Sequence, residues 1–279
     1  MLKATHFDNV IRFDLARTLF GQGRYWTAAY FIDGMLVDSG CAYTAGEVVR
    51  ALSDLPLTHL VNTHSHEDHI GANGALQRTR EGLKILAHPL ALPILDDPRL
   101  MQPLHPYRRL FWGLPARSKG EPLADGSTIE TEHYSFRVVY TPGHSPDHLC
   151  LYEPVQGWLF TGDLFVGGHE RALRAGYDIR QITASLKRIA ALPAAWLFPG
   201  SARVRDHPEQ ALAEKIAYLE KLGAQVEDLD RQGRSVPEIA RALCGGPMLV
   251  EWITLGHLSR EHLVRSFLGS REGVEPSRT

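Results

Sequence analysis

Only three cysteines occur in 279 residues, at positions 41, 150 and 244. Their odd number and wide spacing exclude a CxxC metal or redox pair and give no disulfide framework, so a reducing compartment is expected. No uncharged apolar run approaches the roughly 18 residues of a membrane span. The opening segment carries Asp8 and Asp14 where a secretory leader needs its apolar stretch, which predicts a cytoplasmic location. Net charge is scarce too. Thirty Lys and Arg against 32 Asp and Glu give −2, so no overall basic field draws nucleic acid or an anionic membrane. What is plentiful is histidine, 14 in all, several in one cluster. With 44% hydrophobic residues the chain can build a sizeable core, as one large domain or one domain plus an appendage.

Short apolar runs alternate with helix-like segments through the first two-thirds. Residues 28–32 and 35–37 flank Asp33-Gly34, a dipeptide suited to a tight hairpin turn. Thr44-Ala45-Gly46-Glu47 has the form of a capping box opening a helix through Leu52. Further strands are predicted at 59–63, 84–87, 134–140, 149–152, 158–161 and 196–198. Between the last two, Ile179, Ile182, Leu186 and Ile189 recur at helical spacing behind Asp178 as N-cap.

From Asp206 onward the pattern reads as helices alone. Leu212, Ile216 and Leu219 stripe the first, Ser235 opens the second, and Ser259 caps a third containing Leu263, Val264 and Phe267. The expected division is a main domain over 1–205 and a helical appendage over 206–279, with the polar tail after Gly269 frayed. Nine basic and eleven acidic residues after Asp206 argue against DNA binding by the appendage. Packing, pocket shaping or homodimer contacts remain for it.

The strongest chemical signal is His64-Ser65-His66-Glu67-Asp68-His69, directly after a predicted strand. So many imidazoles and carboxylates cannot be buried cheaply unless something pairs with them, and a divalent cation is the suited partner. Neutral imidazole fits zinc or iron, and carboxylate widens the choice. His64 and His66 share one side of an extended segment. Asp68 and His69 fall where the chain turns toward a helix and could reach a neighbouring position, so one loop could serve two cations. The bland alternative is a polar loop whose histidines face solvent. Two later turns, Thr141-Pro142-Gly143-His144-Ser145 and Thr161-Gly162-Asp163, are each weak alone and gain weight from their order.

Taken together, HxHxDH at 64–69, TPGHS at 141–145 and TGD at 161–163, preceded by Val37-Asp38-Ser39-Gly40, resemble the metallo-β-lactamase superfamily. The resemblance spans roughly the first two-thirds of the chain. It implies an α/β fold, a four-layer αβ/βα sandwich with metals in loops along one edge. It also implies that His64, His66 and His144 hold a first metal, that Asp68 and His69 hold a second, and that Asp163 bridges them. Asp38 is either an acceptor fixing a ligand imidazole or a simple turn aspartate. The pattern breaks at Phe198-Pro199-Gly200-Ser201, where Ser201 stands in place of the expected last histidine. A neutral hydroxyl replaces imidazole poorly. The second metal is then retained by Asp68, His69, Asp163 and water, or recruits His207 or His169, or is lost.

A cation held by neutral histidines lowers the pKa of its water toward neutrality and polarises a carbonyl. Asp68 is the candidate for orienting that nucleophile and shuttling its proton. The leading expectation is a hydrolase using metal-bound hydroxide on a small-molecule ester, thioester or lactone, with one or two zinc ions and iron or manganese as alternatives. The motif is similar to those of glyoxalase II-like thioesterases and lactonases. Competing readings are a β-lactamase-like endoribonuclease, a ligand-sensing protein with catalysis weakened by Ser201, and an iron-dependent persulfide dioxygenase. Residues 99–119, with five basic side chains and no acidic one, read as a substrate lid or as an exposed or dimer-forming helix-loop. Arg171, Arg174 and Tyr177 could meet a carboxylate or an oxyanion. His148 is expected at an ordinary strand edge, and the remaining histidines at structural or surface positions.

Overall fold

A computed structural model describes residues 1–101 and 105–269. The expected fraying after Gly269, and part of the 99–119 segment, lie outside the described residues. Two sheets face each other. The first runs in the order Leu2–Phe7, Val10–Leu19, Gln22–Ile32, Met35–Val37, His59–Val61, Lys84–Ala87 and Glu121–Pro122. The second runs Arg205–Asp206, Trp196–Pro199, Trp158–Gly162, Leu149–Glu153, Ser135–Tyr140 and Thr128–Glu130.

The central strands read as unbroken apolar runs because both of their faces are covered. Successive residues go to opposite sides. Tyr30, Ile32, Val37 and Val61 of the first sheet meet Phe136, Val138, Leu151, Phe160 and Phe198 of the second. The alternate residues Ala29, Phe31, Leu36 and Leu60 pack outward on Val48, Leu52 and Leu76, around helices Ala45–Ala51 and Asn73–Thr79. On the far side, Val139, Cys150, Leu159 and Leu197 pack on helix Ile179–Ala190 and on the C-terminal helices through Leu219, Ile239 and Leu263. Three apolar clusters therefore separate four layers, helix, sheet, sheet and helix, as the motifs implied.

Asp33 and Gly34 both take positive φ, as the hairpin turn requires. Asp178 caps its helix through the backbone N–H groups of Arg180 and Gln181 at 2.9 and 3.0 Å. The box at Thr44 does not form. The Thr44 hydroxyl donates to the Cys41 carbonyl at 2.9 Å, and Glu47 is taken by the N-terminal amine at 2.7 Å. The C-terminal segment also departs from a purely helical reading. Asp206 lies on a short strand, helix Glu209–Arg231 follows, and Leu258–Ser259 pairs antiparallel with Leu173–Arg174. A two-residue ladder leaves no periodicity to read.

The fold delivers one reactive edge. Strands Met35–Val37 and His59–Val61 run parallel, as do Trp158–Gly162 and Trp196–Pro199. Their carboxyl ends and the turn joining Ser135–Tyr140 to Leu149–Glu153 open onto the same side, and Leu149 N–H crosses between sheets to the Thr63 carbonyl at 2.8 Å. None of the described helices is long and apolar enough to cross a membrane.

Candidate metal centre

Asp38 leaves its strand with φ of +59°, a left-handed conformation uncommon for a non-glycine residue. The bend turns its carboxylate inward. Oδ1 accepts from Thr63 N–H, and Oδ2 accepts from Thr63 Oγ1 and His69 Nδ1, all at 2.8 Å. With Nδ1–H donated to Asp38, His69 presents Nε2 as its free lone pair. A second relay runs from His64 Nδ1 to Thr63 Oγ1 at 3.0 Å, fixing His64 in the same sense. Asp38 therefore acts on two rings, directly and through Thr63.

The HSHEDH loop is fully buried. Ser65 N–H is held by the carboxylate of Asp147 at 2.8 Å, and the His69 carbonyl accepts from Ser39 N–H at 2.8 Å. Glu67, 0% exposed, is gripped by both arms of the Arg108 guanidinium, itself 6% exposed, from helix Pro106–Phe111. Local sequence pattern carries no sign of Asp147 or of the Glu67–Arg108 pair. Their partners lie 82 and 41 residues away, beyond any local spacing rule.

The ligand-type atoms converge. Those of His64, His66 and His144 lie within 4.8 Å of one another, as do those of His64, His69 and Asp163. His66 Nδ1 and His144 Nε2 are 3.0 Å apart, and Asp163 Oδ2 is 3.4 Å from His69 Nε2 and 3.7 Å from His144 Nε2. Asp68 stands further off, with Oδ2 at 4.0 Å from His69 Nε2. Gly200 is required here, since a Cβ on it would fall 2.8 Å from Asp163 Oδ1 and from His69 Cε1. Ser201 donates to Asp163 Oδ1 at 3.0 Å.

The electrostatics suit a cation. Burial, reinforced by neighbouring imidazoles, drives His64, His66 and His144 well below the usual histidine pKa, so they are neutral and keep a lone pair. Burial also acts on His69, but Asp163, Asp38 and Asp68 outweigh it and raise its pKa. Burial opposes ionisation of Asp163, and His69 and His144 overcome it and lower its pKa. His64 Nε2 and His69 Nε2 are buried without a hydrogen-bond partner among the described residues. Orphaned buried nitrogens are rare and need a reason. A metal ion that takes the His64 lone pair and replaces the proton the three aspartates favour on His69 supplies it, so the residues present fit the group.

Neither His169 nor His207 joins the converging ligand atoms. His169 stacks on Tyr218 at 4.1 Å, and the His207 backbone N–H bonds to Ala195 on the turn behind the sheet. His148 is no ordinary strand-edge residue. It is fully buried 5.2 Å from the His64 ring, with Nδ1 at 2.8 Å from Thr141 Oγ1, and burial depresses its pKa to about 3. Of the three residues after Asp163 with an open role, Arg171 donates to the Cys244 carbonyl, away from the site. Arg174 donates to the Tyr177 hydroxyl, which lies 3.4 Å from His144 Nε2.

The metallo-beta-lactamase superfamily profile matches residues 27–201, more than half of the chain, and the chain belongs to that superfamily. Over 179 residues it is 30% identical to a hydroxyacylglutathione hydrolase of Legionella pneumophila (strain Paris), covering 62% of this chain and 59% of that one. Over 188 residues it is 29% identical to a thioesterase of Emericella nidulans, covering 66% and 46%. The chain thus spans about half the length of each. A metallo-beta-lactamase family protein from Thermus thermophilus superposes with a TM-score of 0.65 at 20% identity, covering 92% of this chain and 90% of that one. That likeness concerns the fold, and its coverage takes in most of the C-terminal helices.

Proposed function

We propose that this chain is a metal-dependent hydrolase of small thioesters or esters, lactones included, with zinc as its cation. The carrying observation is the pair of orphaned, buried Nε2 atoms of His64 and His69, set among neutral imidazoles and the Asp163 carboxylate. In this reading His64, His66 and His144 hold one cation, His69, Asp68 and Asp163 offer a weaker place for another, and Asp163 stands between them. A bound divalent cation supplies water of lowered pKa and polarises the carbonyl under attack. The chain's own residues do the rest. Asp38 and Thr63 fix the tautomers of His69 and His64. Asp68, buried beside His69, orients the attacking water and accepts its proton. The Arg108 helix covers the His64–His69 loop through Glu67, and the Leu258–Ser259 strand steadies Leu173–Arg174 by pairing with them, so the segment after 205 would help shape the pocket.

The superfamily and the names of the two relatives support hydrolysis, and thioesters are the substrate class those names share. A panel of thioester, lactone and RNA substrates, each with and without chelator, tests the reading. Chelator-sensitive turnover of a thioester or lactone is expected. Turnover of RNA alone would replace this reading with a nuclease.

Ser201 sets the second position apart. One place has three imidazoles, whereas the other has His69 and carboxylates. Ser201→His should tighten binding of a second zinc equivalent by at least about tenfold, since even an outer-shell partner of a ligand is worth about 10- to 100-fold in affinity. Calorimetric zinc titration of both proteins reads this directly, and an unchanged second isotherm would show that Ser201 does not weaken the second position.

A further inference from the structure

Most cations drawn into this fold have a carboxylate partner. Arg108 has Glu67, Lys215 has Glu170, Arg260 has Glu251 at 2.9 Å, and Arg12 has Asp14 at 2.6 Å. Half-buried Arg174 is different. Its hydrogen bond goes to the neutral Tyr177 hydroxyl at 3.0 Å, and the rings of Trp112 and Tyr177 flank it at 5.5 and 5.8 Å. Among the described residues no carboxylate oxygen lies within ion-pair distance of it. Asp68 and Glu67 favour its charge only from beyond contact distance, a guanidinium drawn out of water without a contacting counter-ion is unfavourable, and one acceptor leaves most of its five donors unused.

Arg174 and Tyr177 stand between two spaces. On one side the Tyr177 ring stacks on His66 at 5.7 Å and 15°, with its hydroxyl 3.4 Å from His144 Nε2. On the other, both residues line a cavity of about 700 Å³ bounded also by Arg180, His262 and Arg265. Arg180 is paired with Glu227 and Arg265 with Glu261. Asp178 in the same wall is committed to capping its helix. Among the described arginines of this cavity, Arg174 is the one without a carboxylate partner.

We infer that Arg174 binds a carboxylate carried by the substrate's acyl part, a few bonds from the scissile carbonyl. The inference rests on hydrolysis at the His64–His66–His144 cradle. A carbonyl placed beside His144 would lie about one phenol oxygen away from the guanidinium, because Tyr177 Oη is 3.4 Å from His144 Nε2 and 3.0 Å from Arg174 Nη1. A half-thioester of a short dicarboxylic acid has that reach, and a neutral acyl chain leaves the guanidinium without an anion. The planar fork can give two parallel N–H donors to a carboxylate while a third stays on Tyr177, which a lysine cannot do. Tyr177 is the positioning residue that holds the fork in place.

The test is calorimetric titration of the zinc-loaded protein with succinate and with propionate, in the wild type, Arg174→Met and Arg174→Lys. Both acids can meet the cation, and succinate alone can also reach Arg174. The succinate-to-propionate affinity ratio should fall on the order of 10- to 100-fold in Arg174→Met, the scale of a lost charged hydrogen bond, with partial recovery in Arg174→Lys. KM for a succinyl thioester should rise in step, more than kcat falls, relative to the propionyl thioester of the same thiol. An affinity ratio unchanged in Arg174→Met, or a wild type that does not prefer the succinyl substrate, would overturn the inference. Arg174-dependent succinate binding with neither thioester cleaved would keep the subsite and remove the hydrolase reading instead.

Discussion

His66→Ala and His144→Ala should each lower chelator-sensitive thioester hydrolysis by more than about 100-fold while leaving the chain folded. Loss of a residue that merely orients a metal ligand costs about 10- to 100-fold in affinity or activity, and removal of the ligand itself should exceed the upper end. Both rings belong to the cradle with His64, and their facing nitrogens lie 3.0 Å apart. Neither is part of the three apolar clusters that separate the layers. Their burial without charge is a strain on the cation-free fold rather than a support for it. Far-ultraviolet circular dichroism and thermal melts of the chelated variants should therefore match the chelated wild type. Zinc affinity should fall alongside activity. Full activity in either variant would refute the assignment of the cradle.

Arg108→Ala should destabilise the protein by about 3–5 kcal/mol, the usual result of leaving one member of a buried ion pair alone. Glu67 is 0% exposed, and Arg108 is its ion-pair partner among the described residues. Burial and the charge of Asp68 push the Glu67 pKa up, and Arg108 pulls it back down. Without Arg108 only the more distant Arg174 opposes the upward push. A carboxyl whose folded pKa lies above its unfolded value binds more protons in the folded state between the two values. Stability then falls as pH rises through that window. The deficit of Arg108→Ala should accordingly be largest near neutrality and shrink toward about pH 4, where the unfolded carboxyl also protonates. Urea unfolding at the two pH values measures it. The double variant Arg108→Met with Glu67→Leu should recover most of the loss, since paired apolar replacements of buried ions are often neutral. Equal destabilisation at both pH values would show that packing, not the uncompensated carboxylate, dominates.

The order of three motifs made the four-layer fold legible and picked out six residues that the structure brings to one edge, because each motif sits where a strand ends and its side chains must turn inward. The central strands were legible for a related reason, as apolar runs covered on both faces. Leu2–Phe7 was not, since four of its six residues are exposed and carry no alternating pattern. The pairing of Val10–Leu19 is irregular near Arg17 and likewise hides its period. The supports of the site were hidden for a different reason. Asp147 under Ser65, Arg108 on Glu67 and Tyr177 against His66 are contacts between segments far apart in the chain. His148 looked ordinary because burial in three dimensions has no signature in a turn sequence. The basic segment 99–119 was half read. Its Arg108 is neutralised by Glu67 and holds the His64–His69 loop, while Arg117 meets Asp96 at the surface at 3.3 Å.

The most direct test of a hydrolytic metal centre measures bound metal and thioester hydrolysis in the same preparation, before chelation, after chelation and after zinc is returned. At least one divalent ion per chain is expected, with activity that leaves with the ion and comes back with it. Hydrolysis undiminished in ion-free protein, or a chain that takes up no divalent ion at all, would contradict the metal-dependent mechanism.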